Sequence, residues 1–170
     1  NNVFHVTEEY IVTSHDGEHT VRPDIVLFVN GIPFAVIECK APHISVEQGI
    51  EQMIRNQQGE YIPQLFKYIQ IVMATNKNSV KYATTGTGKK YWSVWKEEDL
   101  DYLEIAKAKY VEDRVPTVQD ENIISLFSID RLKELIKYFV LYDANVKKIC
   151  RYQQYFAIKE IIKTINTNDV

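Results

Sequence analysis

A mixed α/β fold built around a central sheet is predicted for this chain, and three observations carry that prediction. Two near-continuous apolar runs, residues 24–29 (DIVLFV) and 33–38 (PFAVIE), flank Asn30-Gly31. A stretch of helical period follows at 44–58, and a third apolar run, 69–74 (IQIVMA), comes after it. Continuous apolar runs mark strands buried on both faces. Asn-Gly between two of them is the strongest short hairpin signal, and a helix joining such strands puts the sheet at the centre.

The elements follow in order. Residues 3–13 (VFHVTEEYIVT) are rich in β-branched and aromatic side chains and predict a strand. Ser14-His15-Asp16-Gly17 reads as a turn. The hairpin strands at 24–29 and 33–38 come next. Over 44–58 a helix is predicted, with Ser45 as N-cap, Gln48 placed as in a capping box, and Ile50, Met53 and Ile54 on the buried face. Gly59 is expected to end it. Strands are predicted at 69–74, 79–85 and 91–95, and residues 96–121 read as a charged connection or lid. Ser128 or Asp130 is expected to cap a helix over 129–141, striped by Leu132, Leu135, Ile136 and Phe139. A last helix runs from about 153 to 165.

Bulk properties narrow the class. With 45% hydrophobic and 25% charged residues in 170, the chain is globular and long enough for one sizeable core. No apolar run approaches about 20 residues, so no membrane span is predicted. No secretory leader pattern opens the chain, and a cytoplasmic location with two reduced thiols, Cys39 and Cys150, is expected. The net charge of −3 does not favour nucleic acid, so any such contact has to rest on a local basic patch.

The chemistry concentrates at Arg22-Pro23-Asp24 and, thirteen residues on, Glu38-Cys39-Lys40. Phosphodiester hydrolysis needs an activated water, neutralised phosphoryl charge and help for the leaving oxygen. Mg²⁺ takes oxygen ligands and keeps several waters, so one or two carboxylates suffice. Asp24 and Glu38 are the candidate ligands, with the backbone carbonyl of Cys39 as a third oxygen. Lys40 follows Glu38 by two and shares its face of a strand. Register decides whether the group exists. A two-residue Asn30-Gly31 loop pairs Val29 with Ile32 and sends Asp24 and Glu38 to opposite faces. A three-residue loop, such as a type I turn with Gly31 left-handed and a bulge, or else a bend at Asp24, restores the match, and Pro33, which cannot donate to the ladder, favours irregularity. The competing reading is a surface hairpin ending in ordinary charges, but charges capping a strand buried on both faces usually pair or bind metal.

Residues 22–40 (RPDIVLFVNGIPFAVIECK) resemble the nuclease motif of the motor/restriction (R) subunit of type I restriction enzymes, whose first domain is an endonuclease of the PD-(D/E)XK superfamily. The likeness extends over roughly residues 1–100, through Asn2–Thr7, Ile62–Phe66, Thr85–Thr87 and Trp92 to Trp95. It implies a restriction-endonuclease-like mixed sheet flanked by helices, with a C-terminal helical segment. It also implies Mg²⁺ on Asp24 and Glu38, and Lys40 as the catalytic lysine. The family's glutamine–X₃–tyrosine motif falls on Gln52, with Asn56 where tyrosine is usual. A glutamine late in the family's first strand falls near Glu9, an accessory acidic group or else an edge-strand surface charge. Residues 151–157 (RYQQYFA) resemble the glutamine motif that opens the helicase-like ATPase, with Gln154 as the nucleotide-reading glutamine of a full-length protein.

The resemblance therefore implies an endonuclease core at 1–100, a lid and completing helix at 101–145, and the start of an ATPase domain at 146–170. The partners implied are double-stranded DNA and the methylation and specificity subunits of a restriction-modification complex. Mg²⁺ serves the nuclease, and ATP the motor beyond this segment. Two other classes stay open at this stage: a non-catalytic DNA-binding or assembly module, and a free-standing defence nuclease of the same fold. Gly86-Thr87-Gly88-Lys89-Lys90 fails the phosphate-loop pattern at Ala83 and Lys90 and reads as a polar turn. Lys89 and Lys90, with Tyr91, Trp92 and Trp95 nearby, are candidates for DNA contact. The four histidines show no ligand spacing.

Overall fold

The computed structural model describes residues 1–168. Strands β1 (Phe4–Glu8), β4 (Ile25–Val29), β5 (Ile32–Cys39), β6 (Ile71–Asn76) and β7 (Ser79–Ala83) form a five-stranded sheet in the order β1-β4-β5-β6-β7. All neighbours are antiparallel except β5 and β6, which run parallel. Parallel strands need a crossover, and helix α1 (Val46–Asn56) provides it. The mixed sheet flanked by helices is the architecture the sequence predicts.

Alternation along the strands divides the core. Val26, Val36, Val72 and Ala74 pack under α1 with Ile50 and Met53. On the opposite face Ala35, Ile37, Ile71 and Met73 pack with Tyr82, Trp95, Leu126, Leu135, Phe139 and Tyr155. All six residues of β6 are buried, which explains its unbroken apolar run. The second cluster draws on residues from 35 to 155, so the stretches assigned from sequence to the connection and to the start of the next domain close the same core.

Several expectations need correction. The strand over 3–13 breaks at Glu9, whose φ of 46° is left-handed, and resumes as β2 (Val12–Thr13), paired with β3 (Thr20–Val21). Helix α1 is shorter than predicted, and Ser45 caps it through the Glu47 amide at 3.3 Å rather than through a Gln48 box. At 91–95 only Tyr82 and Ser93 pair, so no strand forms. The supposed lid holds two helices, α2 (Leu100–Tyr110) and α3 (Val118–Phe127). Asp99 caps the first, and a reciprocal Thr117–Asp120 box caps the second. The helix predicted over 129–141 is α4 (Ile129–Glu134), which continues as a π turn over Leu135–Phe139. A hairpin of β8 (Val140–Asp143) and β9 (Val146–Ile149) then turns at Ala144-Asn145, both with positive φ. Helix α5 (Tyr152–Asn168) follows.

Candidate active site

The loop at Asn30-Gly31 is the minimal two-residue turn. Asn30 and Gly31 have φ of 52° and 80°, and Val29 pairs with Ile32. That register alone would separate the two carboxylates. It changes between Phe28 and Leu27: Phe28 faces Pro33, whereas Leu27 faces Ala35. Phe34 is therefore the extra residue of a bulge, and its carbonyl accepts the Gln70 amide at 2.8 Å. Beyond the bulge Ile25 faces Ile37, and continuing that offset sets Asp24 opposite Glu38 on the face under α1. The irregularity sits beside Pro33 rather than in the loop.

The two carboxylates and the lysine then meet. The Cys39 amide donates to Asp24 Oδ2 at 2.6 Å, tying the end of β5 to the residue before β4. Lys40 Nζ donates to Glu38 Oε1 at 2.7 Å and to Gln52 Oε1 at 2.8 Å. The Lys40 amide donates to the Thr75 carbonyl at 2.7 Å, and Asn76 Nδ2 holds the Ile44 carbonyl at 2.7 Å. These bonds fix both ends of the loop from Lys40 to α1. Gln52 is thus brought to the lysine. Asn56, at the family's tyrosine position, is buried and accepts from Arg55 Nη2 at 3.3 Å.

Glu38 is only 1% exposed, and its Oε2 has no hydrogen-bond partner. Burial, reinforced by the Asp24 charge, pushes its carboxyl up to about 7 against the opposing pull of Lys40. A buried acceptor left open beside a second carboxylate, with all donors oxygen, fits a hard divalent cation such as Mg²⁺. Cys39 can contribute its backbone carbonyl but not its thiol, because burial, aided by the two carboxylates, pushes the thiol up to about 11.

This strain is expected to show as pH dependence without metal. A carboxyl whose folded pKa lies above its ordinary value stabilises the fold most below about 4.5, and the contribution is lost as pH rises towards 7. Stability in chelator should fall between pH 5 and 8 by on the order of 2 kcal/mol. Thermal unfolding of Glu38→Gln should be flatter by that amount, and parallel curves for the two proteins would refute the assignment.

One residue of the site left no trace in the sequence reading. Gly49 on α1 lies against the sheet where a Cβ would stand 3.2 Å from Ala74 Cβ and 3.5 Å from both Glu38 Cγ and Lys40 Cγ. Its lack of a side chain lets α1 bring Gln52 down to Lys40. Gly49→Val should lift the helix and cost about 1–3 kcal/mol of stability, the scale of overpacking at a close contact. Native thermal stability in that variant would show that α1 does not rest on the sheet at Gly49.

The other predicted residues sit elsewhere. Glu9 lies beside Asp24 in the backbone, its amide donating to the Asp24 carbonyl at 2.8 Å, but its carboxylate meets Arg22 at 3.5 Å and both side chains are exposed. Among the described residues no group of three His, Cys, Asp or Glu forms a metal cluster, so Glu9 is not brought in as a third ligand. Lys89 is tied to Glu51 at 2.6 Å and Glu47 at 3.4 Å, whereas Lys90 lies over the Tyr91 ring. Gln154 Oε1 accepts the Arg151 amide at 2.9 Å and closes the first turn of α5.

The family described as the type I restriction enzyme R protein N terminus matches residues 1–91. The chain is 28% identical over 149 residues to a putative type I restriction enzyme MjaIXP endonuclease subunit of Methanocaldococcus jannaschii, covering 83% of this chain and 14% of that protein. It is 29% identical over 164 residues to the putative MjaVIIP endonuclease subunit of the same organism, covering 85% of this chain and 14% of that protein. With the type I restriction enzyme HindI endonuclease subunit of Haemophilus influenzae it shares 26% identity over 170 residues, covering 95% of this chain and 15% of that protein. The chain spans about one seventh of the length of these curated relatives.

Proposed function

The chain belongs to the type I restriction enzyme R protein N-terminal family, and from that premise we propose that it is the Mg²⁺-dependent DNA-cutting module of a restriction subunit. The observation that carries this reading is the buried, unpartnered Glu38 Oε2 beside Lys40, with Asp24 set opposite by the bulge. Asp24, Glu38 and the Cys39 carbonyl would hold the metal. When bound, Mg²⁺ lowers the pKa of a coordinated water and offsets charge on the phosphoryl oxygens.

The chain's own residues do the rest. Asp24 and Glu38 concentrate negative charge at the end of β5, favouring a cation there and depressing affinity for DNA until one is present. Lys40 keeps its ammonium at the carboxylate edge, held by Glu38 and Gln52. Two acceptors leave one N–H free to donate to a phosphoryl oxygen or to orient the attacking water. Gln52 works through Lys40 and is a positioning residue.

Cleavage is proposed to lack sequence preference. Target choice would belong to the specificity subunit, which acts with a methylation subunit, and ATP-driven translocation to a motor domain of the same subunit. No helix among the described residues is long and apolar enough to cross a membrane. The test is cleavage of duplex DNA by the full-length protein assembled with those subunits, with Mg²⁺ and with chelator. Cutting should require the metal. Absence of Mg²⁺-dependent cutting, with DNA binding intact, would favour a non-catalytic module instead.

A further inference from the structure

A second charged feature lies outside the carboxylate–lysine group. Between the Gly86–Gly88 turn and the β8–β9 hairpin, along the β7 edge, there is a cleft of about 510 Å³. Lys147, Lys148, Arg151 and Tyr91 line it, and none of its lining residues is acidic. Lys148 is neutralised by Asp143. Lys147 and Arg151 have no carboxylate partner among the described residues, and Lys147 Nζ meets only the Ile69 carbonyl, at 2.8 Å.

Lys147 is half-buried, and that burial lowers its pKa. A desolvated ammonium without a counter-ion is a costly feature in a chain of net charge −3, and an incoming anion would relieve it. On the opposite wall the turn presents Gly86 and Gly88 with Thr87 between them. Gly86 has φ of 77°, its amide donates to Gln57 Oε1 at 2.8 Å, and a Cβ there would meet nothing within 4 Å. Tyr91 is 57% exposed at the rim and offers a ring to a sugar or base.

The cleft is also the right distance from the site. Lys147 Nζ is held at the Ile69 carbonyl, and Glu38 pairs with Ala74, so that ammonium lies one strand across from Glu38 and back along β6 towards its start. At about 4.8 Å per strand and 3.3 Å per residue this is roughly 17 Å. That span is about five phosphate steps at 3.4 Å of rise per strand. Lys89, which follows the turn, pairs with Glu47 and Glu51 on α1, so the turn adjoins the helix that carries Gln52.

We propose that Lys147 and Arg151, facing the Gly86–Gly88 turn, form a subsite for the DNA backbone phosphates that flank the scissile bond. This rests on the nuclease reading and adds where the strand runs. It also gives a role to the glycine-lysine turn that fails the nucleotide phosphate-loop pattern.

The experiment measures anisotropy of a labelled 20-base-pair duplex on the full chain in chelator, over a series of salt concentrations. Arg151→Gln and Lys147→Gln should each reduce the salt slope by about 0.9 and weaken binding at 0.1 M salt roughly eightfold, and the double variant should show both losses. Lys109→Gln on α2 should change neither. Because Lys147 also anchors the hairpin, thermal unfolding accompanies its variant, and Arg151→Gln decides the question if that variant is unstable. A native slope in Arg151→Gln and the double variant, or no measurable binding by the native chain at low salt, overturns the proposal. Glu38→Gln separates the two readings: in Mg²⁺ and assembled with the partner subunits it should fail to cut, while in chelator adding Arg151→Gln to it should still lower the slope by about 0.9. If it cuts, the nuclease assignment fails and the subsite is judged on the slopes alone.

Discussion

Glu38→Gln, Asp24→Asn and Lys40→Met should each reduce Mg²⁺-dependent DNA cleavage by at least about a thousandfold, the scale expected when metal ligation or proton handling is removed. The fold should survive all three. Glu38→Gln is isosteric and relieves the cost of a buried anion. Asp24→Asn keeps an acceptor for the Cys39 amide, now 2.6 Å from Asp24 Oδ2. Lys40→Met is the most demanding change because it removes the cation beside Glu38. That carboxyl already titrates near 7, so it can take a proton rather than stay buried and charged. In the assembled full-length protein, ATP-driven translocation should continue in all three variants, since the proposed motor is a separate domain. Circular dichroism should match the native protein. Native cutting rates in Glu38→Gln would remove the metal-site assignment, and loss of translocation with cutting preserved would invert it.

The parts of this molecule that sequence makes legible are those decided by local chemistry. Asn30-Gly31 demands left-handed φ at two successive residues, and both have it. The apolar runs of β4, β5 and β6 follow from burial on two faces. What stayed hidden depends on contacts between distant segments. The bulge at Phe34 exists because β4 and β5 must agree on which face carries Asp24 and Glu38, and Pro33 was its only local sign. Gly49 reads as a poor helix residue until α1 is laid on Ala74. Helix α2 buries only Leu103 and Ala106, so its apolar period is faint, and the caps at Asp99 and Thr117–Asp120 were the stronger signals. Lys89 looked available for DNA because its partners Glu47 and Glu51 lie about forty residues away in sequence.

Arg131→Ala should be the most destabilising single change on the opposite face, costing about 3–5 kcal/mol. Arg131 is 10% exposed in its side chain, and its Nη1 lies 3.0 Å from Glu97 Oε2, on a side chain 2% exposed. The guanidinium is enclosed by Tyr155 at 4.6 Å, Trp95 at 5.2 Å, Phe156 at 5.4 Å and Tyr102 at 5.8 Å. It therefore joins α4 to α2, to the Trp95 segment and to the first turn of α5. Removing it leaves Glu97 buried with only the Trp95 indole at 3.3 Å and the Asp99 amide at 3.1 Å. For a chain of this length the loss should lower Tm by roughly 10 °C. Arg131→Lys should recover part of it, since an ammonium pairs with the carboxylate but cannot form the two-pronged contact or stack as a plane. Arg131→Met with Glu97→Leu should recover more, because replacing both partners removes the stranded charge. Cleavage at low temperature should persist in each variant, because the carboxylate–lysine group lies on the other side of the sheet. A loss below 1 kcal/mol in Arg131→Ala would mean that α5 is held without it, by its aromatic contacts and by Tyr155 and Lys159 on Glu134.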